Sequence, residues 1–225
     1  MTPAPFCTVY SNHMQSQITG IILAGGRASR LGRDKALEPI GGVPVLLRVV
    51  AALQTVADAL VLVEAPDRAR APEGLPASIR RVTDVAPDFG PLAGLRAGLN
   101  ACETDYALVA ACDMPFLATG VLQRLVELAP GWDAVLPRWS GRPQFLCAAY
   151  GRSCLSAIDA QLAHPERRER SLVAMLQRVR VHHVDEREVR AVGGDDAAFT
   201  GINSEAEVAA AQGLAAARAL QQVTQ

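Results

Sequence analysis

Arg27, Arg30, Arg33 and Lys35 place four cations within nine residues, directly behind the glycine pair Gly25-Gly26. Glycines let the backbone turn sharply and bring its N–H groups close to a ligand. Bared amides beside clustered cations suit a polyphosphate. Lys35 is the single Lys among 22 basic residues. Either this position needs a compact ammonium rather than a planar guanidinium, or the residue survives by chance in an Arg-rich composition. Further along, Asp113 is a lone carboxylate in Cys112-Asp113-Met114-Pro115, at the end of an apolar run. Mg2+ takes hard oxygen ligands and is often held by one or two carboxylates together with substrate phosphates. Asp113 is therefore a candidate metal ligand, with the N-cap of a following helix as the other reading.

Several other chemistries are excluded. Gly32 is followed by Arg33-Asp34 before Lys35, which breaks the G-x-x-x-x-G-K-[ST] phosphate loop, and no G-x-G-x-x-G occurs. Nothing resembles G-x-S-x-G or a Cys/His nucleophile arrangement. His13, His164, His182 and His183 lie outside the motifs. Adjacent strand residues face opposite sides, so His182 and His183 do not ligate one metal together.

These residues need a scaffold to position them. Ile18 to Leu23 reads as a buried strand closed by Gly25-Gly26, followed by a polar, basic loop to Glu38. Pro44 suits a first helical position, and Val45, Leu46, Val49, Val50 and Leu53 follow at helical spacing. Ala59 to Val63 and Ile79 to Thr83 are strands, and Leu92, Leu95 and Leu99 mark a helix. Tyr106 to Ala111 is a strand, Val121 to Leu128 a helix, and Asp133 to Leu136 and Gln144 to Tyr150 are strands around a Ser140-Gly141 turn. Helices over Arg152 to Leu162 and Ser171 to Gln177, a strand over Val179 to Val184 and a helix over Ser204 to Leu220 complete the chain. Ser204 with Glu207 three residues on forms a capping box. The alternation predicts an α/β fold with a mostly parallel sheet, whose ligands bind at the carboxyl ends of the strands.

With 225 residues, 50% apolar and 20% charged, the chain can bury a full core and is not disordered as a whole. Residues 1–17 read as a disordered tail with Met14 as an alternative start, and residues 18–225 as one domain. A net charge of −1 advertises neither a nucleic-acid nor a membrane partner. Five scattered cysteines, with no C-x-x-C, argue for a reducing compartment, and no signal peptide precedes the first strand, so the expected location is cytoplasmic.

The stretch L-A-G-G-R-A-S-R-L-G-R-D-K-A-L, Leu23 to Leu37, resembles the signature of nucleotidyltransferases related to sugar-nucleotide pyrophosphorylases. Within them it is most similar to the molybdenum cofactor guanylyltransferases. Three further motifs carry the likeness: T-D-V-A-P-D-F-G-P-L-A-G-L from Thr83, A-L-V-A-A-C-D-M-P-F-L from Ala107, and F-T-G-I-N-S-E-A-E-V from Phe199. The resemblance implies a three-layer Rossmann-like fold and transfer of GMP from GTP to molybdopterin, with release of pyrophosphate. It implies Mg2+ held by Asp113 and Asn203, and catalytic roles for Lys35, Arg30 and Asp113. Nucleotide contacts fall to Leu23, Ala24, Gly25, Gly26, Lys35, Asp84, Gly90, Pro91, Leu92, Gly94 and Asp113. GTP and the molybdopterin acceptor are the implied partners, with molybdoenzymes or their chaperones downstream.

The sequence departs from the family at three places. Gly201 replaces an Asn, Ser204 replaces a Thr, and Val61 to Asp67 lacks an Asn that commonly contacts the nucleotide. Arg142, in a turn resembling the family's acceptor side, is a candidate for an acceptor phosphate or a plain surface residue. The related cytidylyltransferases typically read L-A-A-G at the first motif and lack G-P-L-A-G, so both features point to guanine. The alternatives are a sister transferase with another base or acceptor, such as a cytidylyltransferase or phospholactate guanylyltransferase, and a nucleotide-binding module without turnover.

Overall fold

The computed structural model describes residues 17–25, 33–66, 73–84 and 89–223. The tail expected over residues 1–17 lies, except for Gln17, outside the described residues, as do Met14, Gly26, Arg27 and Arg30. The strands are β1 (Ile18–Ala24), β2 (Pro39–Ile40), β3 (Val43–Pro44), β4 (Ala59–Glu64) and β5 (Arg80–Thr83). They continue with β6 (Tyr106–Ala111), β7 (Ala134–Trp139), β8 (Arg142–Pro143), β9 (Cys147–Gly151) and β10 (Val181–Val184). The helices are α1 (Val45–Gln54), α2 (Pro91–Ala101), α3 (Thr119–Leu128), α4 (Leu155–Leu162), α5 (Leu172–Leu176), α6 (Glu186–Ala191) and α7 (Glu205–Val223).

Every residue of β1 is buried, which places this strand at the centre of a sheet covered on both faces. The sheet order is β10-β7-β9-β6-β1-β4-β5, with β8 paired to β7. β1 runs parallel to β4 and β6, β4 to β5, and β10 to β7. β9 alone in the main order runs antiparallel, to both β6 and β7. Two reversals restore direction, so β7 is parallel to β6. The carboxyl ends of β1, β4, β5, β6, β7 and β10 therefore share one edge.

Alternation along β1 splits the core in two. Ile18 and Ile22 pack with Leu46 and Val49 of α1, Leu122 of α3, Val189 of α6 and Val208 of α7. Ile21 and Leu23 pack on the other face with Leu92, Leu95 and Leu99 of α2, Ile158 of α4 and Met175 of α5. This is the three-layer α/β arrangement expected from the sequence. Small residues let the layers approach. A methyl on Gly98 would lie 2.6 Å from Cγ2 of Ile21, so α2 lies on β1 only with glycine there. A methyl on Gly120 in α3 would fall 2.1 Å from the Val192 carbonyl oxygen. Overpacking of this kind costs about 1–3 kcal/mol, so Gly120→Ala should lower the melting temperature by roughly 2–10 °C in a thermal scan. Gly213→Ala in α7, where nothing lies within 4 Å, is the matched control and should not destabilise.

The structure revises several sequence boundaries. Pro44 is not the first helical residue. It is extended, at φ −52° and ψ 137°, and pairs with Pro39 in the β2–β3 ladder, so α1 starts one residue later. The expected strand from Gln144 starts at Cys147, because Phe145 and Leu146 form a turn whose carbonyls accept from the Tyr150 hydroxyl and the Ala111 amide. The helix expected from Arg152 opens as a 3-10 turn and is α-helical from Leu155. The β2–β3 hairpin and α6 are additions. Among the described residues no helix is long and apolar enough to cross a membrane.

Candidate active site

Asp113 leaves the shared edge just past β6. The Cys112 amide donates to the Leu23 carbonyl at 3.1 Å, so the parallel pairing with β1 continues to the residue before the carboxylate. Asp113 does not cap α3, whose N-cap is Ala118. Lys35 comes from the other side. It opens a 3-10 turn, Lys35–Leu37, capped by Asp34, whose carboxylate accepts from the Ala36 amide at 3.0 Å. Asn203 arrives from the extended lead into α7. There the Ile202 amide donates to the Asp113 carbonyl at 3.0 Å.

The three side chains converge. Lys35 Nζ donates to Asp113 Oδ2 at 3.1 Å and to Asn203 Oδ1 at 2.6 Å. Two hard oxygens from different elements thus face one cation position. The lone Lys of the chain is the ammonium at their centre.

The start of α7 fixes Asn203. The Ser204 hydroxyl accepts from the Glu207 amide at 3.3 Å, half of the expected capping box. The returning Glu207 carboxylate does not reach the Ser204 amide. It accepts from the Asn203 amide at 2.6 Å and from the Ser204 hydroxyl at 3.0 Å, which immobilises the backbone of Asn203 itself. Arg33 strengthens the junction. Its guanidinium pairs with Glu38 at 2.6 Å and with Glu205 at the first turn of α7. The hydrogen bonds it donates to Glu38 and Glu205 raise the Arg33 pKa, and Arg33 in turn lowers that of Glu205. Arg33 therefore leaves the cation cluster expected around a phosphate and works as a strut.

Gly201, one of the departures from the family pattern, lies against Asp113. A methyl there would lie 3.0 Å from Asp113 Oδ1, 3.1 Å from Cγ and 3.2 Å from Oδ2. The bare backbone packs directly against the carboxylate. Gly201→Ala should turn that carboxylate away from Lys35 and Asn203 and cut turnover about tenfold, since small displacements of reacting groups carry such costs. A steady-state assay beside a thermal scan checks this, with the melting temperature expected to hold.

The second cluster lies beside β1, at the ends of β4 and β5. Asp84 is buried, and its amide donates to the Glu64 carbonyl at 2.8 Å. Gly90 caps α2 with φ 65° and ψ −154°, a conformation essentially reserved for glycine. Gly94 is buried beside Leu23 and Asp84, 3.4 Å and 3.9 Å from where an added methyl would lie. The Leu92 side chain is fully buried in the core, and Leu23 and Ala24 nearly so, leaving their backbones as what they offer a ligand. Gly25 and Gly90 are exposed at the edge. Arg142 is exposed in β8, where it pairs with Trp139 of β7.

Among the described residues no group of three His, Cys, Asp or Glu side chains could hold a metal alone. Burial pushes the thiols of Cys147 and Cys154 up to about 12, which leaves both protonated and inert. His182 packs against Trp132 in a tilted arrangement with ring centroids 5.2 Å apart, on the outer edge of the sheet. The sequence reading missed Gly201, Asp34 and Glu205 as supports, and it named Glu207 only as part of the capping box. Asp34 had a signal, an Asp two residues before a helical amide. Glu205 had none, being 172 residues from Arg33.

Residues 20–184 match the family model of the MobA-like NTP transferase domain. A probable molybdenum cofactor guanylyltransferase of Pelotomaculum thermopropionicum is 32% identical over 200 residues, covering 88% of this chain and 94% of the relative. One from Haloferax mediterranei is 35% identical over 202 residues, covering 86% and 92%. The crystal structure of molybdopterin-guanine dinucleotide biosynthesis protein A from Archaeoglobus fulgidus superposes with a TM-score of 0.72 at 22% identity, covering 88% of this chain and 98% of that one.

Proposed function

We propose that this chain, which belongs to the MobA-like NTP transferase family, is a guanylyltransferase that joins GMP from GTP to molybdopterin and releases pyrophosphate. The observation that carries the reading is the convergence of Lys35, Asp113 and Asn203 at the carboxyl edge of the sheet. Family membership supplies the reaction class, and its relatives' names supply the acceptor.

In this reading a phosphate oxygen of molybdopterin attacks the α-phosphorus of GTP, a new P–O bond forms, and the bond to pyrophosphate breaks. No protein nucleophile is needed, in keeping with the inert buried thiols. Lys35, with Arg30 and the amides of Gly25 and Gly26, neutralises the departing pyrophosphate. Asp84 and the Gly90-Pro91 turn hold the nucleoside, beside the backbones of Leu23, Ala24, Leu92 and Gly94. Asp113 Oδ2 and Asn203 Oδ1 form a hard-oxygen pair already facing a cation, which fits Mg2+ completed by substrate phosphates. When bound there, Mg2+ would supply charge neutralisation and polarisation at the α-phosphate. The reading places the protein in the cytoplasm, handing its product to molybdoenzymes or their chaperones.

Ligand-dependent melting with Mg2+ and each of GTP, CTP, ATP and UTP tests the base. At a hundredfold excess over Kd a ligand stabilises the native state by about 2.7 kcal/mol, a rise of roughly 5–10 °C for a chain of this size. The rise is expected with GTP alone. A rise with CTP instead would move the protein to the cytidylyl branch. Pyrophosphate release on adding molybdopterin then tests transfer, and binding without release would leave a nucleotide-binding module.

A further inference from the structure

The Lys35 ammonium stands where its two partners would hold a divalent ion. It is bonded at once to Asp113 Oδ2, at 3.1 Å, and to Asn203 Oδ1, at 2.6 Å. We propose that Lys35 is an internal stand-in for the metal. It holds the oxygen pair in register before substrate arrives, and it must leave before the ion can enter. The inference rests on the metal reading of Asp113 and Asn203.

Three observations support mutual exclusion. The first is space. Mg2+ sits about 2.0–2.1 Å from its oxygens, and an ion held by Oδ2 and Oδ1 on the side where Nζ now sits would fall inside the contact radius of Nζ. The second is charge. Arg33, the nearest other described cation of this loop, is tied to Glu38 and Glu205. Glu207 is engaged by the Asn203 amide and the Ser204 hydroxyl. Asp113 is thus the carboxylate on which ammonium and metal compete, and a single carboxylate does not balance both. The third is freedom to move. The Lys35 side chain is 27% exposed, and its backbone is fixed separately through the Asp34-capped turn. The ammonium can therefore swing off the pair without unfolding its turn. A triphosphate arriving over Gly25 gives it a new anionic partner. Nucleotide and metal would then bind together, each favouring the other, because the phosphates draw off the cation that blocks the ion.

The test uses Mn2+ as the probe, read by electron paramagnetic resonance on the full chain without nucleotide. Lys35→Met keeps the length of the side chain and removes the charge. It should bind Mn2+ about tenfold more tightly than the parent, and Lys35→Arg should not. Adding a non-hydrolysable GTP analogue should tighten Mn2+ binding in the parent far more than in Lys35→Met. If Lys35→Met fails to fold by circular dichroism, Lys35→Gln takes its place. Unchanged or weaker Mn2+ affinity in the neutral variant would overturn the proposal. So would tight binding that survives addition of Asp113→Asn, because the ion would then lie elsewhere. Neither result touches guanylyl transfer, which pyrophosphate release reads separately.

Discussion

Asp113→Ala is expected to abolish transfer, with a loss of about 10³-fold or more, while the melting temperature stays close to that of the parent. The size follows from removing the carboxylate that faces Lys35 and, in this reading, would hold the cation that neutralises the polyphosphate transition state, where such groups are worth several kcal/mol. The fold should survive because Asp113 is held by its backbone. Its carbonyl accepts from Ile202, and the preceding amide donates to Leu23. Neither bond involves the side chain. Asp113→Asn sharpens the result, since it keeps the shape and the acceptor oxygen but removes the charge. Pyrophosphate release with GTP, molybdopterin and Mg2+ is the measurement. Normal metal-dependent turnover in Asp113→Ala would sink the assignment.

Lys35→Arg should cost about 10²-fold in turnover, the scale of losing one preorganised donor to a developing anion. The two charges are equal, so the expected loss comes from shape. A compact ammonium fits between Asp113 Oδ2 and Asn203 Oδ1 and, once drawn to the phosphates, can turn its three donors onto the departing pyrophosphate. A planar guanidinium is wider, and its fork cannot set one nitrogen at the same point. The loss should appear chiefly in kcat, because the nucleotide keeps its contacts at Asp84 and Gly90. Unchanged kinetics would mean that any cation serves there and that the lone Lys is an accident of composition.

The central strands of the sheet were legible because they are short apolar runs. β1, β4 and β6 lie within a residue of their expected bounds. Direction was not legible. Nothing in Cys147–Gly151 distinguishes the one antiparallel strand of the main order from its parallel neighbours. α6 escaped because Val189 is its one buried residue, too little for a helical period to show. Its start did carry a signal, since Asp185 caps the Glu188 amide. The β2–β3 hairpin was hidden by its two-residue strands, although Gly41 and Gly42, at φ 58° and 77°, are the expected residues for such a turn.

The site was legible in parts. Asp113 follows from its place after a buried strand. Lys35 stood out by rarity alone, and composition could not say what it touched. Asn203 needed the family resemblance, because a polar residue before a helix is ordinarily a cap. The support given by Gly201 was invisible. A glycine that packs against a distant carboxylate looks in the sequence like any loop glycine.

The contact between Lys35 and Asn203 joins residues 168 positions apart. Every strand of the sheet, by contrast, precedes Asp185. During synthesis every strand of the sheet therefore emerges while the site still lacks one of its two oxygens. A chain cut after α6 would keep β1 to β10 but lose Gly201, Asn203 and the Glu205 strut. Turnover thus depends on residues made after the last strand, and among these the side chains of Ile202, Val208 and Ala211 also complete the core on one face of the sheet.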